Sequence, residues 1–258
     1  MNKIHPSAIV SPNAILGDNN IIGPNAIIEE NVEIGNNCKI GPFAVIYPGA
    51  RIKNNVTIHQ SASVANVPQD LSFGNEESIL TIDDNTTIRE FATLHRGTKA
   101  TGHTYIGKSC FIMAYSHVAH DDHIGDHCIL ANAVQLAGHV HLEDWVTIGG
   151  GTVVHQFCNI GQQVMIGGGH KVTQDVPPFI LAADWPLRFV SLNIIGLRRR
   201  GFSDENIQAL KQVYAILYSK SLNLTQAKEQ IEKEFGTNEY AKTALQFLAQ
   251  SKRGIIGS

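Results

Sequence analysis

The chain is poor in the features that mark several large classes of protein. Charged residues make up 17% of its 258 positions and the formal net charge is −3, which argues against a general nucleic-acid binder. No apolar run is long enough to span a bilayer. The N-terminal stretch Met1–Pro6 lacks the apolar core of a secretion signal. We therefore expect a cytoplasmic protein without a transmembrane segment.

Cysteine is also scarce, with four residues that form no C-x-x-C pair. The wide spacing argues against a zinc or redox motif, and reduced thiols in a reducing compartment are the simplest interpretation. The four are Cys38, Cys110, Cys128 and Cys158. Hydrophobic residues reach 43%, which is ordinary for a globular chain with one or two domains.

A six-residue repeat runs through most of the chain. Every sixth residue from Ile4 to Val64 is aliphatic, and the same phase runs unbroken from Ile106 to Val172. Small residues such as Ala26 recur two positions earlier, so alternation along a strand points both sets inward. Glycine often follows the aliphatic residue, which suits a sharp corner, often with positive φ. A six-residue unit therefore fits one short strand plus one corner.

This repeat resembles the hexapeptide-repeat family. The resemblance implies a mainly β fold, a left-handed parallel β-helix in which three hexapeptides form each triangular coil. We assign residues 1–183 to this domain, with projecting loops near 65–79 and 96–104 where the repeat is lost. Residues 184–258 are predicted to form a small α-helical C-terminal domain.

The C-terminal pattern is helical rather than six-residue. A first helix is predicted after Ser203, whose side chain suits an N-terminal cap. A second should run from Thr225 to Phe235 and end at Gly236, and a third should cover about residues 238–250.

Three histidines stand out within the repeat at positions that are nearly one coil apart. His120 and His139 are separated by 19 residues, and His139 and His155 by 16. Because one coil contains about eighteen residues, these side chains are expected on one wall of the prism.

Three interpretations of the histidines compete. Stacking between coils, with hydrogen bonds to neighbouring residues, is preferred for His123, His127 and His141. A metal site is disfavoured. The zinc enzymes of the hexapeptide-repeat family use a three-histidine site that includes an H-x-x-x-x-H pair, and this sequence contains no such pair. General acid–base catalysis by His120, oriented by Asp121, is the third interpretation.

Several segments resemble a more specific family. S-H-V-A-H-D, L-A-G-H-V, H-Q-F-C, Q-D-V-P-P and L-R-R-R-G-F are similar to the UDP-N-acetylglucosamine O-acyltransferases of lipid A synthesis, as are V-P-Q-D-L, T-I-R-E and H-R-G-T in the loops. The resemblance covers essentially the whole chain. It implies transfer of an R-3-hydroxyacyl group from acyl carrier protein to the 3-hydroxyl of UDP-N-acetylglucosamine. It also implies a homotrimer with active sites between subunits, and no bound cofactor, because the donor is carried on the phosphopantetheine of acyl carrier protein.

The same resemblance implies residue roles. His120 matches the general base, Asp121 orients it, and the N–H of Gly138 supports the developing oxyanion. Gly168 matches the position that limits acyl length. No metal ligands are assigned. The substrate-binding residues are expected to be Asp70, His117, His139, His155, Gln156, Gly168, Asn193, Arg199 and Arg200. Basic residues that could also receive the acidic carrier protein are the Arg198–Arg200 cluster and, more weakly, Lys99, Lys171 and Arg188.

Departures from the family pattern leave alternatives open. Ser72, the segment Asp184-Trp185-Pro186 and Ile195 stand where the family often has other residues. They leave undecided the details of nucleotide binding and whether the acceptor is UDP-N-acetylglucosamine or its 3-amino analogue. The acyl length is also left undecided by the sequence. A later N-acyltransferase of the same pathway, a zinc hydratase and a non-catalytic β-helical assembly protein are the remaining alternatives.

Overall fold

The computed structural model describes residues 1–258 as many very short strands followed by four helices. In chain order the strands are β1 (Lys3–Ile4), β2 (Ile9–Val10), β3 (Ile15–Leu16), β4 (Ile21–Ile22), β5 (Ile27–Ile28), β6 (Glu33–Ile34), β7 (Lys39–Ile40), β8 (Val45–Ile46), β9 (Ala50–Ile52), β10 (Thr57–Ile58), β11 (Ser63–Asn66), β12 (Ile79–Ile82), β13 (Thr87–Ile88), β14 (Thr93–His95), β15 (His103–Ile106), β16 (Phe111–Ile112), β17 (His117–Val118), β18 (His123–Ile124), β19 (Ile129–Leu130), β20 (Gln135–Leu136), β21 (His141–Leu142), β22 (Thr147–Ile148), β23 (Val153–Val154), β24 (Asn159–Ile160), β25 (Met165–Ile166), β26 (Lys171–Val172), β27 (Ile180–Ala183) and β28 (Arg188–Leu192).

The strands form three sheets, one on each wall of a triangular prism. The first sheet contains β1 and every third strand to β25 and then β27 and β28, the second runs from β2 to β26, and the third from β3 to β24. Within the triangular prism each strand pairs in parallel with the strand one coil further on. Ile22 is thus aligned with Ile40, and Ile40 with Ile58. The predicted fold, a left-handed parallel β-helix of hexapeptide repeats, is confirmed.

The inward aliphatic residues form one continuous core. Fifty-seven buried residues make up a single hydrophobic cluster, and Ile46, Val64 and Leu94 within it are completely buried. Ile4, in the first coil, is 45% exposed because no coil lies beneath it. The repeat therefore builds its core by stacking, and its open end remains uncovered.

The expected role of the corner glycines is wrong in one respect. Positive φ occurs three residues after the inward aliphatic residue, where asparagine is common, as at Asn19 (φ 59°) and Asn37 (φ 58°). Gly17, directly after Leu16, is not a positive-φ residue. A Cβ there would lie 2.5 Å from Oδ1 of Asn36 and 2.7 Å from a backbone oxygen of the next coil. Glycine is therefore required by the close approach of the next coil.

Two loops interrupt the prism, and a helical segment closes its C-terminal end. The loops comprise residues 67–78 and 96–102. The helices are α1 (Ile194–Arg199), α2 (Asp204–Leu217), α3 (Leu224–Phe235) and α4 (Glu239–Gln250). The last three match the predicted helices, and the side chain of Ser203 caps α2 as expected. The six-residue helix α1 was not predicted.

The strands β27 and β28 pair antiparallel, with Ala183 opposite Arg188. They thus lie on either side of the predicted domain boundary. Further along the chain, the hydroxyl of Tyr214 in α2 donates to the carbonyl of Pro178. None of the helices is long and apolar enough to cross a membrane.

Candidate active site

A cavity of about 400 Å³ lies on the second sheet where four successive coils meet the loop at residues 67–78. Its walls come from β14, β17, β20 and β23 and the turns that follow them. The structure thereby brings together four predicted site residues, His117, His120, Gly138 and Gln156. The complete lining is Gln69, His95, His117, Ala119, His120, Gln135, Leu136, Ala137, Gly138, Val153, Val154 and Gln156.

The His120 ring is oriented by the carboxylate that follows it in sequence. Nδ1 of His120 lies 2.8 Å from Oδ2 of Asp121. A carboxylate only accepts hydrogen bonds, so Nδ1 carries the proton and donates it in the neutral ring. Nε2 has no hydrogen-bond partner within the chain and is left as the proton-accepting nitrogen. This is the arrangement that a general base requires.

Asp121 is held by donors from the loop at residues 96–102. The N–H and the hydroxyl of Thr98 approach its oxygens to 3.1 Å and 2.7 Å, and the hydroxyl of Thr101 donates as well. Burial alone would raise the pKa of Asp121, but hydrogen bonds from Thr101, His120 and Thr98 outweigh it and lower that pKa. The carboxylate therefore stays ionised. Neither threonine was singled out from the sequence, although both belong to or follow the H-R-G-T segment.

Gly138 lies directly against the His120 ring. A Cβ at this position would be 2.6 Å from Cε1 and 2.8 Å from Nε2 of His120, which is far inside van der Waals contact. The N–H of Gly138 donates to no acceptor in the chain. A free backbone donor thus lies beside the free nitrogen of the candidate base.

Two further histidines border the cavity in the neutral form. Nδ1 of His117 is 2.7 Å from the hydroxyl of Thr93. Burial, followed by the charges of His95 and His120, lowers the pKa of His117 to about 4. Burial also lowers the pKa of His95, whose Nδ1 is buried without a hydrogen-bond partner. His95 was missed by the sequence analysis, and only its place in H-R-G-T pointed to it.

The remaining predicted histidines, His139 and His155, are sequence neighbours of lining residues but do not themselves line the cavity. Nε2 of His139 is 3.7 Å from Oδ2 of Asp121, and its ring stacks on Phe157 with centroids 4.6 Å apart. His155 is exposed and donates from Nδ1 to the carbonyl of Gln156. Asp70 lies one residue beyond Gln69, which lines the cavity.

Other predicted site residues lie on a different wall of the prism. A groove of about 760 Å³ on the first sheet is lined by Asn193, Arg199 and Arg200, and it shares no residue with the histidine cavity. Nη1 of Arg200 lies 2.6 Å from Oε1 of Gln163. Asn193 caps α1, accepting from an N–H of its first turn. One chain therefore holds the predicted site residues in two separate groups.

Gly168 lines neither cavity. It occupies a corner where an added Cβ would be 3.0 Å from the carbonyl oxygen of Gly150 in the preceding coil. Met165, three residues earlier, lines the groove on the first sheet.

The basic residues are dispersed. Arg198 pairs with Asp204 at 2.8 Å, and both side chains are largely exposed. Lys171 and Arg188 line a third cavity, of about 450 Å³, beside Trp185. Lys99 is exposed in the loop at residues 96–102.

The side chains of His120, Asp121 and His139 are the one group with the composition of a metal site, since their ligand atoms lie within 4.8 Å of one another. Hydrogen bonds already occupy Asp121 and Nδ1 of His120, so the geometry is explained without a cation.

The predicted stacking of His123, His127 and His141 is confirmed, but the expected hydrogen bonds are not found, because none of these rings has a side-chain hydrogen-bond partner in the chain. The rings of His123 and His141 are 4.7 Å apart and nearly parallel, and His127 stacks on Trp145 at 4.0 Å.

Comparisons with known proteins agree along the whole chain. The family model described as UDP N-acetylglucosamine O-acyltransferase, domain 2, matches residues 175–256, and the model of the bacterial transferase hexapeptide (six repeats) matches residues 31–66 and 103–138. A protein of Aliarcobacter butzleri named acyl-(acyl-carrier-protein)–UDP-N-acetylglucosamine O-acyltransferase is 50% identical over 257 residues, covering 99% of this chain and 98% of its own length. A protein of Burkholderia mallei with the same name is 50% identical over 261 residues, covering 99% of this chain and 100% of its own.

Solved structures give the same answer. The UDP-N-acetylglucosamine acyltransferase of Francisella novicida has a TM-score of 0.96 at 36% identity, covering 99% of this chain and 94% of its own. The enzyme of the same name from Bacteroides fragilis has a TM-score of 0.96 at 41% identity, covering 98% of this chain and 99% of its own. With this likeness in sequence and in fold over nearly its full length, the chain belongs to the acyl-(acyl-carrier-protein)–UDP-N-acetylglucosamine O-acyltransferase family.

Proposed function

We propose that this enzyme transfers an R-3-hydroxyacyl group from acyl carrier protein to the 3-hydroxyl of UDP-N-acetylglucosamine, the first step of lipid A biosynthesis, with His120 as general base. One observation carries the assignment of roles. The only unpartnered nitrogen of the His120 ring lies against Gly138, whose N–H is also free, while Asp121 fixes the other nitrogen. The relatives' names supply the donor and the acceptor.

The proposed reaction proceeds in two steps, which this geometry supports. Nε2 of His120 takes the proton of the sugar hydroxyl as its oxygen attacks the thioester carbonyl carbon. Negative charge then develops on the carbonyl oxygen, where the N–H of Gly138 stabilises it. As the tetrahedral species collapses, the carbon–sulfur bond breaks and the imidazolium returns the proton to the leaving thiolate. The ionised Asp121 stabilises the imidazolium between these steps.

The chain needs no bound cofactor in this scheme, because the phosphopantetheine of acyl carrier protein carries the reactive thioester. The neutral His117 and the amide of Gln156 line the cavity and are assigned to sugar-nucleotide contacts. His139, His155 and Asp70 are assigned to its rim.

A homotrimer explains why the predicted site residues lie on two walls. The cavity with His120 is on the second sheet, and the groove with Asn193, Arg199 and Arg200 is on the first. If neighbouring prisms pack side by side, the groove of one subunit faces the cavity of the next. Light scattering should give three times the mass of the chain, and a fully active monomer would overturn this assembly.

Product analysis tests the proposed reaction. The enzyme is incubated with R-3-hydroxyacyl carrier protein and either UDP-N-acetylglucosamine or its 3-amino analogue, and the acylated position is determined by mass spectrometry and NMR. Ester formation at the 3-position with free thiol released in equal amount supports the proposal. Exclusive amide formation with the amino analogue would replace the proposed acceptor, and no transfer to either sugar would overturn the function.

A further inference from the structure

A buried carboxylate next to the candidate base has no part in the mechanism described so far. The side chain of Asp122 occupies an inward position of the third wall and is 1% exposed. In the register of the third sheet, Asp122 is aligned with Val140 one coil further on and with Cys158 two coils further on, and both of these residues are apolar. The residue one coil before it is the buried Thr104, whose hydroxyl accepts the N–H of Asp121. A buried acid at an inward position is costly unless both of its oxygens are satisfied.

The two oxygens of Asp122 bind two different backbone segments. Oδ2 accepts the N–H of Ala119 at 2.9 Å, and Oδ1 accepts the N–H of Val140 at 2.8 Å. Ala119 directly precedes His120, and Val140 follows the Gly138–His139 turn. One side chain therefore joins the turn that carries the candidate base to the turn that carries the oxyanion donor.

Both partners are N–H donors, so the geometry calls for two acceptors on one short side chain. A carboxyl group provides them, whereas the amide of asparagine has one oxygen and turns an NH₂ toward the second N–H. Burial, with the nearby charge of Asp121, raises the pKa of Asp122 well above its ordinary value, and the two backbone hydrogen bonds oppose that rise.

Other inward polar residues bridge coils without touching a site. The hydroxyl of Thr86 accepts the N–H of Cys110 at 3.0 Å and donates to the carbonyl of Gly107 at 2.7 Å. Thr86 is as fully buried as Asp122, and Cys110 and Gly107 carry no candidate catalytic group. It thus provides a matched control for the purely structural effect of losing a bond between coils.

We propose that Asp122 is a positioning residue, which sets the distance between Nε2 of His120 and the N–H of Gly138 by holding their two turns together. The proposal rests on the proposed function of His120 and Gly138. Misplacing reacting groups by about 1 Å costs on the order of 10²-fold in rate. Loss of the Asp122 bonds should therefore lower kcat while leaving the binding of both substrates nearly unchanged.

The test compares Asp122→Asn, Asp122→Val and Thr86→Val in the intact enzyme by kcat, KM and thermal midpoint. We expect kcat to fall about 10-fold for Asp122→Asn and about 10²-fold for Asp122→Val, with KM within about 2-fold of the wild type. Thr86→Val should lower the thermal midpoint with kcat within about 2-fold. A normal kcat in both Asp122 variants, or an equal loss of kcat in Thr86→Val, would overturn the proposal.

A double-mutant cycle separates this proposal from the one on which it rests. If Asp122 acts through the base, Asp122→Asn should cause no further loss in a His120→Ala background. Multiplying losses would instead mean that Asp122 acts independently of His120. Activity retained by His120→Ala itself would overturn the assigned base, whereas an inactive His120→Ala beside fully active Asp122 variants would overturn only the positioning role.

Discussion

The contact between Gly138 and His120 allows the most quantitative prediction for the site. In Gly138→Ala the new methyl group would be 2.6 Å from Cε1 of His120. Ordinary carbon–carbon contact begins at about 3.5 Å, so the ring or the turn must retreat by about 0.9 Å. A shift of that size at the base is expected to lower kcat about 10²-fold. Gly138 does not have a positive φ, so alanine introduces no backbone strain of that kind.

The matched control is Gly150→Ala. Gly150 also lies two residues after an inward aliphatic residue, Ile148, and its added Cβ would be 3.0 Å from the carbonyl oxygen of Asn132, with no candidate catalytic atom nearby. The test measures kcat by steady-state kinetics and the thermal midpoint by melting for both variants. We expect similar small changes in thermal midpoint, with the loss of kcat confined to Gly138→Ala. Wild-type kcat in Gly138→Ala, or an equal loss in Gly150→Ala, would refute the argument.

Two further predictions follow from named contacts, and a third from the role that the resemblance implies for Gly168. Thr98→Val removes a hydroxyl donor to Asp121, so kcat measured at neutral pH should fall about 3- to 10-fold, and an unchanged kcat would show that the hydroxyl is dispensable. Burial first, and then His123, lowers the pKa of His141 to about 4, below its ordinary value of about 6.5, so the unfolded chain binds the proton more readily. Thermal stability should therefore fall as the pH drops from about 6.5 to 4, and His141→Asn should flatten that fall, whereas an identical profile would contradict it. Competition assays should show that the wild type prefers long hydroxyacyl chains and that Gly168→Met shifts the preference to shorter ones. The methionine side chain would exclude the last methylenes of a long chain, and each buried methylene contributes about 0.8 kcal/mol. A preference for short chains in the wild type would refute this role for Gly168.

The architecture was accessible from the sequence because its repeat is short and its core is built by stacking. Each inward aliphatic residue contacts its counterpart one coil away, so a period of six in the sequence marks one short strand and one corner. That three such units complete a coil was implied by the resemblance to the hexapeptide-repeat family. The expectation of positive φ at the corner glycines was wrong because it, too, depended on contacts between coils. The sequence indicates that a side chain is excluded at Gly17, but whether φ or the neighbouring coil excludes it depends on contacts with residue 36. The short helix α1 lacks the periodic apolar face that made α2 recognisable.

The site was only partly accessible. The residues alone offered His120 and Asp121 as one of three interpretations. The resemblance selected that interpretation and added Gly138, and the structure adds the contacts that join the three. Thr98 and Thr101 reach Asp121 from a loop about 20 residues away in sequence, with no periodicity to mark them. The distribution of the predicted residues over two walls also depends on how the coils stack, so it was not visible before the prism was assembled.

Replacement of His120 is the measurement that tests the central claim most directly. In His120→Ala, turnover with R-3-hydroxyacyl carrier protein and UDP-N-acetylglucosamine should fall by roughly 10²–10⁴-fold, while circular dichroism and thermal midpoint remain close to the wild type. Asp121→Asn should do less harm, because Asp121 orients the base and does not itself move the proton. The control is His123→Ala, whose ring is stacked between Tyr105 and His141 outside the cavity, and it should keep its activity. Full activity in a correctly folded His120→Ala enzyme would contradict the assignment of the base.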